Sequence, residues 1–454
     1  MAGGIWTGQN KIRPGAYIQF KSVEKPGTIL GTRGVAMMPV SMNWGGQIIE
    51  LYGTDFEGRG SIGKIGYSVY DEEAQVYREL LKGCYKAYIY RLDKGGTPAC
   101  ATLGSMHFTA AYPGILGNEI TIVVTKSSNS NGSFLVSTYF KGVVRDTQKI
   151  KTPEELANND FVKFQYQPES GGEEKDGEIE SQGFLTTPGL PLQGGENGKV
   201  TEESYMAFLE EARKRKWQTM AVMTEEENIK ESVVSAIKRM RDGGKKVQAV
   251  LYDYPQADYE GIISVDQGYR TKWETISPMT FVATIAGMTA GAAMNESNTY
   301  KVIHGAIDII NAKTNEELEE GIQKGMLLIS ESESGNIVIE KDINTFVNST
   351  LEKGYSFSKN RVIRCLDEIN NTIKSTWENH YLGKVDNNDH GRNIFKGDVI
   401  RYLKDLEELG AIQNFDSAED IKIYQGTEID CVVVDLYIAP VDAMEKLYMT
   451  VVIG

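Results

Sequence analysis

The chain has 454 residues and a formal net charge of −15, with 48 Lys and Arg against 63 Asp and Glu. This balance disfavours general nucleic-acid binding and binding to an anionic membrane surface, because both depend on concentrated cations. With 41% hydrophobic residues and only 12 prolines, the composition is typical of a folded protein of about two to four domains.

The N-terminal part of the chain predicts an extended start followed by an α/β unit. Residues 1–30 are expected to be extended, with a strand at residues 16–20. Acidic residues at 71–73 and a glycine at 83 predict a short helix over 71–83, and a strand follows at 86–92. From about residue 98 the pattern changes to short β segments, including 119–125 and 133–140, which predicts an all-β insert over 98–184.

Residues 185–350 alternate between helical and strand periods, which predicts a layered α/β architecture. Thr201 and Thr224 are predicted to cap the first two helices of this part. The weakly polar stretch 279–294 is rich in Ala, Gly and Thr, so a buried helix explains it better than a membrane span. Further predicted elements are a strand at 305–310, a helix at 315–324, and a hairpin formed by 326–329 and 337–340.

The last hundred residues predict two helices and two strands. A long apolar stripe runs from Val362 to Trp377, and a second one from Val399 to Leu409. The strands are expected at 430–438 and 446–453. The four cysteines, Cys84, Cys100, Cys365 and Cys431, contain no Cys-x-x-Cys pair, and we expect buried thiols in a reducing cytoplasm.

One glycine-rich stretch matches one phosphate-binding pattern and nearly matches a second. Gly58-Arg59-Gly60-Ser61-Ile62-Gly63-Lys64-Ile65 fits G-x-G-x-x-G and nearly fits the phosphate loop, but Ile65 stands where a hydroxyl must ligate Mg²⁺. No helix is predicted before residue 71, so a flexible glycine loop is favoured. A Rossmann-like nucleotide-binding enzyme that uses Gly58 to Lys64 is the alternative function.

No metal site or catalytic group is predicted. The run Asp386-Asn387-Asn388-Asp389-His390-Gly391 resembles a calcium loop, but Gly397 occupies the twelfth place, where a bidentate glutamate is needed. A polar turn is the better interpretation. The histidines, His107, His304, His380 and His390, form no H-x-x-x-H pair.

The strand patterns at the two ends of the chain are more informative about function than these motifs. Leu447, Met449, Val451 and Ile453 alternate onto one face of the last predicted strand. An apolar strand at a chain end needs a sheet edge, because free ends otherwise fray. Pattern alone leaves two possibilities: the terminal strands complete the chain's own sheet, or they are arms that add strands to neighbouring subunits.

Four stretches resemble the contractile tail sheath proteins of myophages, PBSX-type prophages and R-type bacteriocins. They are Lys11-Ile12-Arg13-Pro14-Gly15-Ala16-Tyr17-Ile18, Tyr112-Pro113-Gly114-Ile115-Leu116-Gly117-Asn118-Glu119-Ile120, Leu192-Gln193-Gly194-Gly195-Glu196-Asn197-Gly198 and Ala439-Pro440-Val441-Asp442-Ala443-Met444-Glu445-Lys446-Leu447-Tyr448-Met449-Thr450. Phe281 to Thr299 and Tyr381-Leu382-Gly383-Lys384 also fit, so the resemblance covers nearly the whole chain in the family's order.

The resemblance implies an α+β multidomain fold: an α/β core, an all-β insert, and a C-terminal α+β domain with exchanged terminal β arms. The implied divisions are an N-terminal arm at 1–20, core at 21–97, an outward-facing β-sandwich-like insert at 98–184, core at 185–350, a tube-facing domain at 351–445 and a C-terminal arm at 446–454. The implied intersubunit residues are Arg13, Pro14, Gly15, Tyr17, Ile18, Phe20, Val432, Val434, Leu436, Leu447, Met449, Val451 and Ile453.

The function implied by the resemblance is structural and not enzymatic. Subunits would form stacked hexameric rings around an inner tube and contract from a metastable extended state to drive the tube through a target envelope. The expected partners are other copies of the chain, the inner tube protein, and baseplate and terminator proteins, with no nucleic acid, membrane span, cofactor or metal. Synthesis is expected in the bacterial host cytoplasm, and assembly in a phage tail or tail-like particle.

Overall fold

The computed structural model describes residues 2–4, 15–17, 33–57, 60–127, 132–167 and 185–453. At the N-terminus, β1 (Ala2–Gly4) pairs in parallel with β2 (Gly15–Tyr17). The strand predicted at 16–20 is therefore present at its start, whereas Ile18 and Phe20 lie outside the described residues.

The first part of the α/β core runs from residue 35 to residue 91. Its elements are β3 (Val35–Val40), β4 (Ile48–Tyr52), α1 (Gly53–Glu57), α2 (Gly60–Ile65), α3 (Gln75–Leu81) and β5 (Lys86–Arg91). The predicted helix and the predicted strand of this part are both present. The flexible loop predicted at 58–65 is wrong over residues 60–65, which form α2.

A two-sheet β insert follows. Its strands are β6 (Cys100–Leu103), β7 (Met106–Ala110), β8 (Ile120–Lys126), β9 (Phe134–Phe140), β10 (Val143–Ile150), β11 (Val162–Tyr166) and β12 (Thr187–Pro191). One sheet has the order β10-β9-β8-β12 and the other β11-β7-β6. Because β12 pairs with β8, this sheet extends beyond the predicted boundary at residue 184.

The chain then returns to the core. The elements are α4 (Glu202–Lys214), β13 (Thr219–Val222), α5 (Glu227–Asp242), β14 (Gln248–Tyr252), β15 (Ile262–Val265), β16 (Gly268–Thr271), β17 (Thr275–Ile276), α6 (Pro278–Gly291), β18 (Ala306–Ile310), α7 (Asn315–Gln323), β19 (Ile329–Glu331) and β20 (Ile337–Ile339). Thr201 forms a capping box at α4. The capping box predicted at Thr224 is wrong, because α5 begins at Glu227 and Thr224 Oγ1 instead accepts a hydrogen bond from Glu226 N at 3.1 Å.

A six-stranded sheet organises the core, in the order β15-β14-β13-β3-β5-β4. The neighbours are parallel except for β4, which runs antiparallel to β5. Successive residues of β3 alternate between two apolar layers: Met37 packs with α4 and α5, and Met38 with α3 and α6. The predicted layered architecture of mixed α/β type is confirmed.

Glycines allow α6 to pack very close to α3. A Cβ added at Gly287 would lie 2.0 Å from the Leu80 carbonyl oxygen, and one at Gly291 would lie 1.7 Å from the Gly83 carbonyl oxygen. Most residues of α6 are buried in the core, as its composition predicts. No helix in the described part of the chain is long and apolar enough to cross a membrane.

The C-terminal part packs two helices against small strands. Its elements are α8 (Asn360–Thr376), a π-helical turn (Trp377–Tyr381), α9 (Asp389–Glu408), β21 (Ile412–Gln413), β22 (Ile421–Gln425), β23 (Val432–Leu436) and β24 (Ala439–Pro440). β22 pairs with β23, and β21 with β24. Cys84 and Cys365 are buried as expected, but Cys100 is exposed and Cys431 is half-buried.

Candidate assembly site

The C-terminal segment 446–453, called the C-terminal arm below, forms no strand in the structure. Its apolar side chains are exposed, from 70% at Val451 to 91% at Ile453. The strand predicted at 446–453 is therefore wrong for the single chain, and the arm does not complete a sheet of its own subunit. An apolar alternating segment left in solvent is unusual in a folded protein and indicates a surface made for contact.

An open strand edge lies elsewhere in the same part of the chain. In the described residues β23 pairs with β22 alone, so its other edge keeps unpaired backbone groups, to which a further strand can add. Val432, Val434 and Leu436 point from β23 into an apolar groove of about 400 Å³. The sequence-predicted residues of this strand thus share one face.

Helical residues form the opposite wall of this groove. Ile373 and Trp377 come from the end of α8 and the π-helical turn, and Phe395 comes from α9. The rings of Trp377 and Phe395 meet edge-on, with centroids 5.0 Å apart. The apolar stripe on α8 identifies Ile373 and Trp377 in the sequence, but it gives no sign that their end of the stripe faces an open groove.

The arm and the groove lie at opposite ends of α8. The chain leaves the folded body next to Lys359, where Glu445 and Asp442 contact the Lys359 ammonium group. From Lys359 to Ile373 the helix rises about 21 Å at 1.5 Å per residue, and residues 447–453 span about 23 Å when extended. If the arm crossed to the groove of its own subunit, most of these residues would lie between the two sites, and only the last of them would reach the groove.

Buried ion pairs attach α8 to the α/β core. Arg241 of α5 donates two hydrogen bonds to the Asp367 carboxylate, at 2.6 and 2.8 Å. Arg364 pairs with Asp342 at 2.6 Å, and both side chains are 1% exposed. Arg33 pairs with Glu368 at 3.3 Å. Because a buried charge needs its counter-ion, these pairs hold the groove in a fixed place relative to the core.

The buried charges shift two pKa values in directions that agree with this geometry. Burial, the largest single cause, would raise the pKa of Asp342, but the Arg364 guanidinium and the hydrogen bonds from Asn298 N and Asn360 Nδ2 together outweigh it and hold this pKa below its usual value. Burial lowers the pKa of Arg33, against the opposing effect of Glu368. The Asp342 carboxylate is therefore charged at neutral pH and serves as the counter-ion of Arg364.

The N-terminal residues of the predicted arm are placed only in part. Gly15 and Tyr17 lie in β2, next to β1. Arg13, Pro14, Ile18 and Phe20 lie outside the described residues. The assignment of these residues to an intersubunit arm stays a prediction.

The glycine-rich stretch does not have the geometry of a phosphate loop. α1 separates β4 from α2, so no strand leads directly into the stretch, and Gly58 and Arg59 lie outside the described residues. Lys64 binds the Asp55 carboxylate at 2.8 Å and the Glu50 carbonyl oxygen at 2.9 Å. The cation that a nucleotide would need thus has protein partners already.

The calcium-like run leads into α9: residues 386–388 precede the helix, and the predicted polar turn is wrong over 389–391, which form the first turn of α9. Asn388 caps this helix by accepting a hydrogen bond from Gly391 N at 2.9 Å, and Asp389 pairs with Arg392. Among the described residues there is no group of three or more His, Cys, Asp or Glu side chains arranged to hold a metal ion.

Comparison with known proteins identifies three consecutive regions of the chain. Residues 94–197 match the phage tail sheath protein beta-sandwich domain, residues 198–345 the phage tail sheath protein central domain, and residues 352–454 the phage tail sheath C-terminal domain. The chain is 32% identical over 471 residues to the phage-like element PBSX protein XkdK of Bacillus subtilis, with 99% of each chain covered.

Two solved structures extend the comparison. A sheath tail protein from Desulfitobacterium hafniense is 35% identical, with a TM-score of 0.79, and the match covers 96% of this chain and 99% of that one. The contracted helical sheath of the anti-feeding prophage is 12% identical, with a TM-score of 0.55 over 97% of this chain and 99% of that one. The second likeness concerns the fold alone.

Proposed function

Because the chain belongs to the phage tail sheath family, we propose that it is the sheath subunit of a contractile tail and polymerises by arm exchange. The C-terminal arm of one subunit adds a strand to the open edge of β23 in a neighbour. The observation that carries this proposal is the coexistence, in one chain, of an unpaired apolar segment and an apolar groove that this segment cannot fill in its own subunit.

The alternation of the arm fits the groove. Leu447, Met449, Val451 and Ile453 lie on one face of an extended strand and would face Val432, Val434 and Leu436 in the groove. Each buried side chain contributes on the order of 1.5–3 kcal/mol, and the added strand also pairs the free backbone groups of β23. Every subunit both donates and receives an arm, so the lattice gains from repeated tethering.

Membership of the sheath family supports a proposal for the wider assembly. We propose stacked hexameric rings around an inner tube protein, closed by baseplate and terminator proteins, with synthesis in the host cytoplasm and assembly in a tail or tail-like particle. The N-terminal arm at residues 1–20 would add a second link. Contraction would exchange one packing of rigid subunits for another, with the energy stored at assembly, so that no nucleotide is needed.

Truncation of the arm tests the proposal. Full-length protein is expected to form long tubes in negative-stain electron microscopy, whereas a chain without residues 447–454 is expected to stay folded by circular dichroism and to form no long tubes. Two substituted arms give a matched comparison. Serine at 447, 449, 451 and 453 should abolish tubes, and serine at 448 and 452, on the other face, should not. Sheaths of normal length from the truncated chain would contradict arm exchange.

A further inference from the structure

A buried lysine holds the chain at the point where the C-terminal arm begins. Lys359 precedes α8 and is 5% exposed. Its ammonium group contacts the Glu445 carboxylate and lies 3.4 Å from the Asp442 carboxylate. Thr299 Oγ1 donates a hydrogen bond to Glu445 at 2.9 Å. We call these four residues the Lys359 latch.

The latch is joined to the buried interior. Thr299 Oγ1 accepts a hydrogen bond from Asp342 N at 2.9 Å, and Asp342 is the partner of buried Arg364. The backbone of Lys359 forms an antiparallel bridge with Ile343. The position of the Lys359 ammonium group is therefore fixed by the same structure that fixes α8 to the core.

In the part of the chain that the structure describes, no side-chain hydrogen bond or ion pair holds the two residues next to Glu445, Met444 and Lys446. Met444, immediately before it, is fully exposed, and so are the apolar side chains from Leu447 onward. Glu445 and Lys446 also line a cavity of about 580 Å³, so the chain leaves beside open space. Among the described residues, the latch is the last side-chain attachment before the arm.

We propose that Lys359 is a positioning residue that fixes the origin and exit direction of the C-terminal arm through its ion pair with Glu445. The Glu445 side chain is 14% exposed and the Asp442 side chain 35%, so solvent screens the Asp442 contact more and Glu445 dominates. A fixed origin raises the effective concentration of the arm at the neighbouring groove, because a freely moving arm would sample a larger volume. The consequence for assembly rests on the proposed arm exchange, whereas the latch itself belongs to the single subunit.

The test measures arm direction and assembly separately. Cys100→Ser and Cys431→Ser first remove the two cysteines that are not buried. Spin labels at Met449→Cys and Arg401→Cys then report the distance between the arm and α9 by pulsed electron paramagnetic resonance in dilute protein. Glu445→Gln, which keeps the shape but removes the charge, is expected to broaden the distance distribution. Asp442→Asn should broaden it less, and Lys446→Gln, at the next exposed position, should leave it unchanged.

The same variants without labels give the assembly readout. Glu445→Gln is expected to raise the critical concentration for tube formation about tenfold, because the arm loses effective concentration at the neighbouring groove. The charge exchange Lys359→Glu with Glu445→Lys should bring the critical concentration part of the way back to the wild-type value. An unchanged distance distribution in both Glu445→Gln and Lys359→Met would overturn the latch. If the wild-type chain forms no tubes, the proposed function fails, and the distance measurement still decides on the latch.

Discussion

A single carboxylate in the β23 groove should block assembly while leaving the subunit folded. Val434 lines the groove and pairs across the hairpin with Ile423. It is half-buried in the single chain, so the carboxylate of Val434→Asp can stay hydrated there. Because the Val434 side chain also packs against the C-terminal core, we expect the free energy of unfolding of the isolated subunit to fall by about 1 kcal/mol, which leaves it folded.

Docking of a neighbouring arm would remove that hydration. The contact would lose about 1.5–3 kcal/mol of apolar burial and would also desolvate a carboxylate, a cost that Lys374, which lines the same groove, offsets only in part. Since about 1.4 kcal/mol corresponds to a factor of ten, a loss of about 3 kcal/mol weakens each contact by at least about a hundredfold.

The assay is tube formation against concentration, followed by pelleting and negative-stain microscopy. Val433→Asp is the matched control, because Val433, the residue before Val434 in β23, points to the opposite face of the strand and does not line the groove. Mixing two variants gives a second test of the groove. Val434→Asp keeps its arm and the arm-deleted chain keeps its groove, so together they should form pairs in analytical ultracentrifugation but no long tubes. Equal critical concentrations for Val434→Asp and Val433→Asp would refute the role of the groove.

Three further outcomes follow from packing and charge. Gly291→Ala, whose Cβ would lie 1.7 Å from the Gly83 carbonyl oxygen, should lower the unfolding free energy by at least about 2 kcal/mol, whereas Gly397→Ala, with open space around its Cβ, should raise it by about 0.5–1 kcal/mol, both by urea unfolding. Because the pKa of Asp342 is lowered in the folded state, its contribution to stability is full above its unfolded value of about 3.9 and declines as pH falls through the lower folded pKa. Asp342→Asn should remove that acid dependence and, by leaving Arg364 unpaired, cost about 3–5 kcal/mol at neutral pH. With a net charge of −15 per subunit, tube yield should change across a salt series, and a flat yield would argue against charged subunit contacts.

Strong apolar periodicity predicts the long core helices correctly. Local composition gives a wrong prediction for short helices that depend on tertiary contacts. The apolar stretch 279–294 and the stripe on α8 gave helices that the structure contains. The helices between residues 53 and 65 were missed because they are short and contain glycine, which lowers helix propensity. Contacts beyond each single helix stabilise them: the Lys64 bond to Asp55 at 2.8 Å joins α2 to α1, and Trp44 Nε1 donates a hydrogen bond to the Gly63 carbonyl oxygen at 2.9 Å.

The first residue of α9 and the conformation of the C-terminal arm show two other limits of prediction from sequence. α9 begins at Asp389, ten residues before the predicted apolar stripe, because its first turns are polar and Asn388 supplies the cap. The arm has the alternation of a strand, yet a strand exists only with a partner. Alternation predicts which side chains share a face, and no pattern within one chain specifies which molecule supplies the edge. The groove was equally hidden, since its walls come from α8, α9 and β23, which are separated in sequence.

The buried ion pairs bear on how such a subunit can change its packing. Arg241–Asp367 and Arg364–Asp342 join α8 to the core, and all four side chains are at most 10% exposed, so separating either pair would leave buried charges unpaired. The groove at one end of α8 and the Lys359 latch at the other must therefore move together with the core. If one lattice of these subunits converts into another, the movement has to be taken up between subunits, where the described residues beyond Glu445 make no side-chain hydrogen bond or ion pair with their own subunit. Apolar strand pairing can be kept through such a rotation, because the added strand travels with the receiving groove and only its connection to the donor has to bend.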